Sequence, residues 1–178
     1  MKFFTRVDTD LPAGSLFDLL ANFSRSERAL AACGAMLRRI DPAAEPGTGA
    51  GWTVTFTWRG RPRFLRLRVA RLVRPSQLVL AGGSDQFDLR VAMTVMALGR
   101  ERSRLLCETV VCPLTMRARL LVQMARLARA DLDRGHDRRI ADYVAHLRAA
   151  YAPRSPCRCA SRRGSAGYTP SISSDDVK

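Results

Sequence analysis

The sequence predicts an α+β fold in which a seven-stranded curved antiparallel sheet grips one long C-terminal helix. Three observations predict it. Residues 2 to 8 alternate in polarity, residues 35 to 112 continue that period of two between short turns, and residues 115 to 150 follow a helical period. Because the turns are too short for helical crossovers, we expect neighbouring strands to be antiparallel.

Length and composition indicate one globular domain. The 178 residues are 47% hydrophobic and 26% charged, which suits a single sizeable core. We place that domain at residues 1–150 and predict a disordered tail at 151–178, where Pro, Gly and Ser replace the apolar period. No run approaches the roughly 20 apolar residues of a membrane span, and charge occurs too early for a secretory signal. These features predict a soluble, cytoplasmic protein.

Charge and cysteines point to no particular partner or metal. The net charge is +14, and 25 of the 30 basic residues lie within residues 1 to 150, so the excess is spread over the domain. Biased codon usage explains an arginine-rich, alanine-rich chain without selection for phosphate binding. The five cysteines are expected to be reduced. Cys157 and Cys159, with no further nearby ligand, make a poor zinc site, and we expect no metal or cofactor.

The N-terminal elements follow from local pattern. Residues 2 to 8 form the first strand, and Asp10 and Pro12 can then cap and open a helix that carries Leu16 and Phe17. A second short helix is expected to start at Ser24 or Ser26 and to end near Gly34. Two short helices therefore separate the first two strands.

Six strands fit between Ala35 and Cys112, at breaks rich in Gly, Pro, Ser and Asp. The clearest runs from Trp52 to Trp58, with four apolar residues on one face and three threonines on the other. Later runs repeat this rule with arginine and threonine on the outer face. The pattern predicts a sheet with an apolar concave face.

The terminal helix is expected to begin at the cap Thr115 and to run about 50 Å to residue 150. Its apolar stripe comprises Met116, Leu120, Met124, Leu127, Leu132, Ile140, Tyr143, Val144 and Leu147. Arginines occupy the opposite arc, so the helix is predicted to lie across the core. Gly135 weakens it locally and suggests a bend there.

This element order resembles the START-like superfamily, also called SRPBCC, which includes the birch-pollen allergens and polyketide cyclase/dehydrase-like proteins. Similar segments are Phe3 to Pro12, Leu16 to Asp18, Gly51-Trp52 and Leu132 to Arg134. The resemblance covers roughly residues 1 to 150 and implies a helix-grip fold with a cavity between sheet and helix. Members bind lipids, sterols or polyketides there, and some catalyse cyclisation or dehydration. Membership in this superfamily would imply a ligand pocket but no particular catalytic mechanism.

A hydrophobic-ligand cavity is therefore expected, for a carrier or sensor. Its walls are predicted to be Trp52, Phe56, Trp58, Leu67, Leu80, Phe87, Leu89, Met93, Met116, Leu120, Met124 and Leu127. The alternative is that these side chains fill a solid core.

Catalysis on this scaffold needs a titratable group inside the cavity. Glu108 qualifies if the face it shares with Leu106 and Val110 is the interior, and Asp131 lies near the helix stripe. His136 and His146 are ten residues apart and are expected at the surface or helix flank. No constellation is convincing, so the sequence favours binding over a cyclase/dehydratase-type enzyme.

A third alternative is a basic surface that binds acidic lipid or nucleic acid. In a meander, the turns at residues 59 to 63 and 100 to 104 lie at opposite ends of the sheet. The second turn is expected to join Arg74, Arg38 and Arg39 in a modest positive patch. No aromatic residues are interleaved with these arginines, which disfavours nucleic acid.

Overall fold

A computed structural model describes residues 1–40, 49–58 and 60–149 of the chain, apart from the side chains of Trp58 and Arg61. The elements are β1 (Lys2–Thr9), α1 (Ala13–Ala21), α2 (Phe23–Ala32), β2 (Met36–Arg39), β3 (Gly51–Trp58), β4 (Arg61–Val73), β5 (Gln77–Gly83), β6 (Phe87–Ala97), β7 (Ser103–Pro113), α3 (Met116–Leu127) and α4 (Arg129–Ala149). The expected tail at 151–178, with Cys157 and Cys159, lies outside the described residues.

The seven strands form one antiparallel sheet in the order β1-β7-β6-β5-β4-β3-β2. Every neighbouring pair other than β1 and β7 is consecutive in the chain, which is the meander that short turns predict. The C-terminal helices lie on one face of the sheet, and α4 contacts β1. The predicted α+β helix-grip fold is confirmed.

The register fixes which residues face the helices, because directly paired residues in antiparallel strands point to the same side. One such row runs across the sheet from Trp52 through Leu67, Gly82, Leu89 and Val111. Gly82 is required in this row, since a Cβ atom there would lie 1.9 Å from the Arg66 carbonyl oxygen and the backbone φ is +155°. The apolar face predicted from alternation is this concave face.

The densest packing lies where α1, α2 and the C-terminal half of α4 meet the sheet. Its fully buried side chains include Leu16, Phe17, Leu20, Leu105, Cys107, Val144 and Leu147. Two hydrogen bonds connect elements here: Tyr143 of α4 donates to Ser26 Oγ of α2 over 3.0 Å, and Trp52 Nε1 of β3 donates to Glu27 of α2 over 2.5 Å. Each Å² of apolar area buried at this end contributes about 25 cal/mol to stability.

Two helix starts differ from the expectation. The first helix follows Pro12 with no side-chain cap, and Asp10 instead lies 3.6 Å from Arg148. The second helix begins before Ser24 and Ser26, because Asn22 accepts a hydrogen bond from the Arg25 amide over 3.2 Å. Asparagine and serine are equally good caps, so composition alone does not choose between them.

The terminal helix is two helices rather than one, and the break is at Ala128 instead of Gly135. The Ala128 amide bonds to the Ala125 carbonyl three residues back, a tighter turn than the α-helical bond. Gly135 lies inside α4. The predicted start is correct, since Thr115 accepts from the Ala118 amide over 3.2 Å. Among the described residues, no helix combines the length and apolarity that a bilayer crossing requires.

Candidate functional site

The concave face of the sheet carries a row of incompletely covered apolar side chains. The expected wall residues of β3 to β6, which the register places on this face, are Trp52, Phe56, Leu67, Leu80, Phe87, Leu89 and Met93. Trp52 and Met93 are buried, and the other five keep partial exposure. The Trp58 side chain is outside the described residues. These residues form a partly exposed apolar surface along the middle of the concave face, and we call this surface the groove.

The terminal helix does not form the expected wall of the ligand cavity. Met116, Leu120, Met124 and Leu127 are 76%, 64%, 60% and 92% exposed, so they do not close over the groove. The small residue Ala118 is buried on the opposite side of α3. The helix thus contacts the body of the protein through its small side chains. This corrects the prediction for the α3 part of the apolar stripe, whereas Tyr143, Val144 and Leu147 on α4 are buried as expected.

A polar cluster links α4 to the inner face of the sheet. His136 is half-buried, with Nδ1 2.7 Å from Thr5 Oγ1 on β1 and Nε2 2.9 Å from Thr109 Oγ1 on β7. Thr5 Oγ1 also lies 2.5 Å from Asp137 Oδ1. The Phe3 ring stacks on the imidazole at 5.3 Å between centroids. His136 was expected at the surface or the helix flank, and the structure places it half-buried on the side of α4 that faces the sheet.

The chemistry of the four groups assigns their protons. A carboxylate only accepts hydrogen bonds, so Thr5 donates its hydrogen to Asp137 and accepts from His136 Nδ1–H. Nε2 of the neutral ring is then the acceptor for the Thr109 hydroxyl. The result is a directional chain of hydrogen bonds in which Thr5 and Asp137 fix the tautomer and orientation of the imidazole.

Burial favours the neutral imidazole. Loss of solvent lowers the pKa of His136, and the positive charge of Arg139 acts in the same direction. Asp137 and Asp133 oppose this, since their negative charges favour the protonated ring. A neutral ring with a fixed acceptor nitrogen has the properties of a general base.

The cluster has two ends in different environments. Thr5 and Asp137 line an open cleft of about 560 Å³ at the β1 edge of the sheet. The other residues that line this cleft are Phe4, Arg6, Val7, Arg138 and Ala141. Nε2 points the other way, to Thr109, which lies directly opposite Val91 on β6. One end therefore meets solvent and the other faces the apolar concave side.

The two carboxylates expected from the sequence are elsewhere. Glu108 pairs with Phe4 and Ala92 on the outer face of the sheet and lies 3.0 Å from Lys2 Nζ. It does not face the groove, because Thr109 and its neighbour Cys107 take the inner positions of β7. Asp131 is exposed and forms an ion pair with Arg134 on α4. His146 is also exposed, as expected.

The predicted basic patch is reduced by two ion pairs and does not include Arg38 and Arg39. Arg104 binds Asp8 over 2.6 Å and lowers its pKa, and Arg74 binds Asp18 over 2.8 Å, which offsets their charges. Arg38–Arg39 lie on β2, five strands away from β7 in the sheet. At about 4.8 Å per strand, the path along the sheet from them to β7 is roughly 24 Å.

Within the described part of the chain, Cys33, Cys107 and Cys112 are free thiols, and no three His, Cys, Asp or Glu side chains gather in a group that could hold a metal ion. Cys107 is buried, and burial raises the pKa of its thiol to about 11. This thiol is a packing residue rather than a nucleophile.

Sequence reasoning missed His136 because its partners are 131 and 27 residues away. A weak signal was present. Thr5 and Thr109 place hydroxyls on the inward faces of β1 and β7, which lie side by side at one edge of the sheet. The other inward hydroxyls of these strands, on Thr9 and Ser103, bond each other over 2.9 Å. Two inward hydroxyls require a polar partner, and His136 is within reach on the covering helix.

Comparison with known proteins gives relatives by structure alone. No family model matches the chain, and no curated protein matches its sequence. Solved structures of the helix-grip type do match. One is norcoclaurine synthase from Thalictrum flavum in complex with dopamine and hydroxybenzaldehyde, with a TM-score of 0.63, 10% identity, and coverage of 86% of this chain and 88% of that one.

A second similar structure is Zhui aromatase/cyclase from Streptomyces sp. R1128, with a TM-score of 0.60 and 12% identity over 85% of this chain and 96% of that one. A third is TTHA0849 from Thermus thermophilus, with a TM-score of 0.61 and 9% identity over 85% of this chain and 100% of that one. At these identities the likeness establishes the shared fold, and function has to be argued from the site.

Proposed function

We propose that the protein binds a hydrophobic small molecule, such as a lipid or polyketide, in the groove between the sheet and the C-terminal helices. The observation that carries the proposal is the row of partly exposed apolar side chains on the concave face. Each 100 Å² of ligand surface that these residues remove from water contributes about 2.5 kcal/mol. Binding through apolar burial is sufficient for the function of a carrier or a sensor.

The test uses two neighbouring valines of β7 that point to opposite faces. Val111 is paired with Leu89 in the groove, and Val110 is paired with Arg90 on the outer face. Both are partly exposed. Val111→Trp fills the groove, whereas the matched control Val110→Trp adds the same bulk outside it. We expect Val111→Trp to weaken binding of the neutral probe Nile red at least tenfold, and Val110→Trp to bind like the wild type.

Equal affinities of the two variants would place the probe elsewhere, and a wild-type protein that does not bind Nile red would contradict the proposal. Native mass spectrometry of the purified wild type supplies an independent readout. A small molecule that co-purifies with the wild type and is absent from Val111→Trp identifies the natural ligand class.

A second candidate function is an enzyme of the cyclase type on the same scaffold, and the geometry of His136 favours it. A ligand in the groove that replaces the Thr109 hydrogen bond would meet the lone pair of Nε2, held by Thr5 and Asp137. Cyclisation and condensation of carbonyl compounds begin with removal of a proton from carbon, which a neutral imidazole can accept.

The enzyme hypothesis is tested with a general probe of basic groups in apolar pockets, the ring opening of 5-nitrobenzisoxazole. Wild-type protein is expected to accelerate this proton abstraction, and His136→Asn is expected to abolish the acceleration. His146→Asn is the matched control, because His146 is exposed on the same helix. Rates that are equal for the wild type and His136→Asn would leave binding as the function.

A further inference from the structure

Helix α3 exposes its largest apolar residues to solvent. Met116, Leu120, Met124 and Leu127 are each at least 60% exposed, while Ala118 is buried. At about 100° per residue the four lie within an arc of about 80°, centred roughly 160° from Ala118. They point away from the protein, and a ligand in the groove would leave them in water. We call these four residues the α3 stripe.

Basic residues border the α3 stripe on both sides. On the same helical projection, Arg117 lies about 20° beyond one edge, and Arg119 and Arg126 lie about 60° to 80° beyond the other. The Arg119 guanidinium contacts the sulfur of Met116 at 4.0 Å, so it lies along the border of the stripe. The helix, with the sequence MRARLLVQMARL, contains no acidic residue.

Such a helix has the composition of one that lies in a membrane interface. Apolar side chains enter the boundary between headgroups and acyl chains, and flanking arginines reach the phosphates beside them. The charge also argues against self-association through this surface. Two copies joined stripe to stripe would bring the arginines of both helices together, whereas anionic headgroups complement them.

We propose that α3 docks the protein on the surface of an anionic lipid bilayer. The α3 stripe supplies the inserted apolar area, and Arg117, Arg119 and Arg126 supply the attraction to the headgroups. This surface is distinct from the groove and from the basic turns of the sheet, so the proposal holds whether or not a ligand binds in the groove.

The experiment measures co-sedimentation of the full chain with vesicles. Vesicles of phosphatidylcholine with 30% phosphatidylglycerol are expected to bind the wild type, and vesicles of phosphatidylcholine alone are expected to bind it at least tenfold more weakly. Arginine near an anionic surface contributes about 1 kcal/mol, or roughly fivefold in affinity per residue. Removing all three charges with Arg117→Gln, Arg119→Gln and Arg126→Gln should therefore reduce binding at least tenfold.

The stripe has its own variant and matched control. Leu120→Gln with Met124→Gln removes two exposed apolar residues and should reduce vesicle binding at least tenfold while the melting temperature is kept. Met36→Gln with Phe64→Gln removes two comparably exposed apolar residues from β2 and β4. This control should bind vesicles like the wild type. Arg66→Gln, Arg68→Gln and Arg90→Gln, exposed on the outer face of the sheet, are the matched charge control.

Three results would overturn the proposal. One is a wild type that does not sediment with anionic vesicles even at low salt. Another is loss of binding in the outer-face arginine variant together with retention in the α3 variants, which would assign the contact to the sheet. The third is a dimer in analytical ultracentrifugation that Leu120→Gln with Met124→Gln dissociates, without vesicle binding, which would make the α3 stripe an interface between copies.

Discussion

Replacing His136 by alanine tests the hydrogen-bonded chain most directly. The change removes two hydrogen bonds to hydroxyls, each worth about 1 kcal/mol, and the ring contact with Phe3, worth about 1 kcal/mol. We therefore expect His136→Ala to lower the free energy of unfolding by about 3 kcal/mol. The measurement is urea unfolding followed by circular dichroism at pH 7.5, with linear extrapolation.

His146→Ala is the control for this experiment. It lies on the same helix α4, and among the described residues its ring bonds the Asp142 carbonyl within the helix and the Cys33 sulfur at 3.9 Å. The gain in helix propensity from histidine to alanine is the same at both positions, so it cancels in the comparison. We expect His146→Ala to change stability by no more than about 0.5 kcal/mol. Equal losses at the two positions would refute the assigned contacts.

The pH dependence gives a second, independent readout. Because burial lowers the pKa of His136 below about 6.5, its unfolded value, the folded state binds fewer protons than the unfolded state between these two pKa values. The stabilisation by His136 is thus complete above about pH 6.5 and is lost as the pH falls toward the folded pKa.

Each unit of lowering is worth about 1.4 kcal/mol. The stability difference between wild type and His136→Ala should therefore shrink in acid, and an NMR titration of the ring gives the folded pKa. A difference that grows as the pH falls, or a folded pKa above 6.5, would contradict the reasoning.

Three further outcomes are expected. Gly82→Ala should lower the free energy of unfolding by more than about 2 kcal/mol, because its Cβ would meet backbone at 1.9 Å; a smaller loss would mean that β4 and β5 adjust. Gly135→Ala should raise it by about 0.5 to 1 kcal/mol, since the site is helical with open space around the added Cβ, and a loss would indicate a required bend. Buried Cys107 should resist iodoacetamide in the folded protein while exposed Cys112 reacts, as mapped by peptide mass spectrometry, and rapid labelling of Cys107 would contradict its burial.

Much of the fold was predictable because its signals are local. Alternation of apolar and polar residues identifies strands wherever one face is buried, and short turns force consecutive strands to be antiparallel. The run from Trp52 to Trp58, for example, is strand β3 with one residue added at its start. The cap at Thr115 was equally local, because the cap and the amide it satisfies are three residues apart.

The inward face of β7 was not predictable from its own residues. Both of its faces carry apolar side chains, Leu105 and Cys107 on one and Leu106 and Val110 on the other. Only pairing with β6, whose Met93 faces the core, places Cys107 and Thr109 inside and Glu108 outside. A one-residue shift of register would have exchanged the two faces.

By itself the sequence determined the order, type and pairing sense of the elements apart from the break of the terminal helix at Ala128, since these depend on periodicity and turn chemistry within a few residues. Only the tertiary structure decided which side chains of each element contact the neighbouring elements. An amphipathic helix can pack through large or small residues, and α3 packs through Ala118 and leaves Leu120 in solvent. His136 gains its role from Thr5 and Thr109, which the sheet brings together from distant parts of the chain. Side-chain contacts over such separations are set by packing geometry, which no local pattern encodes.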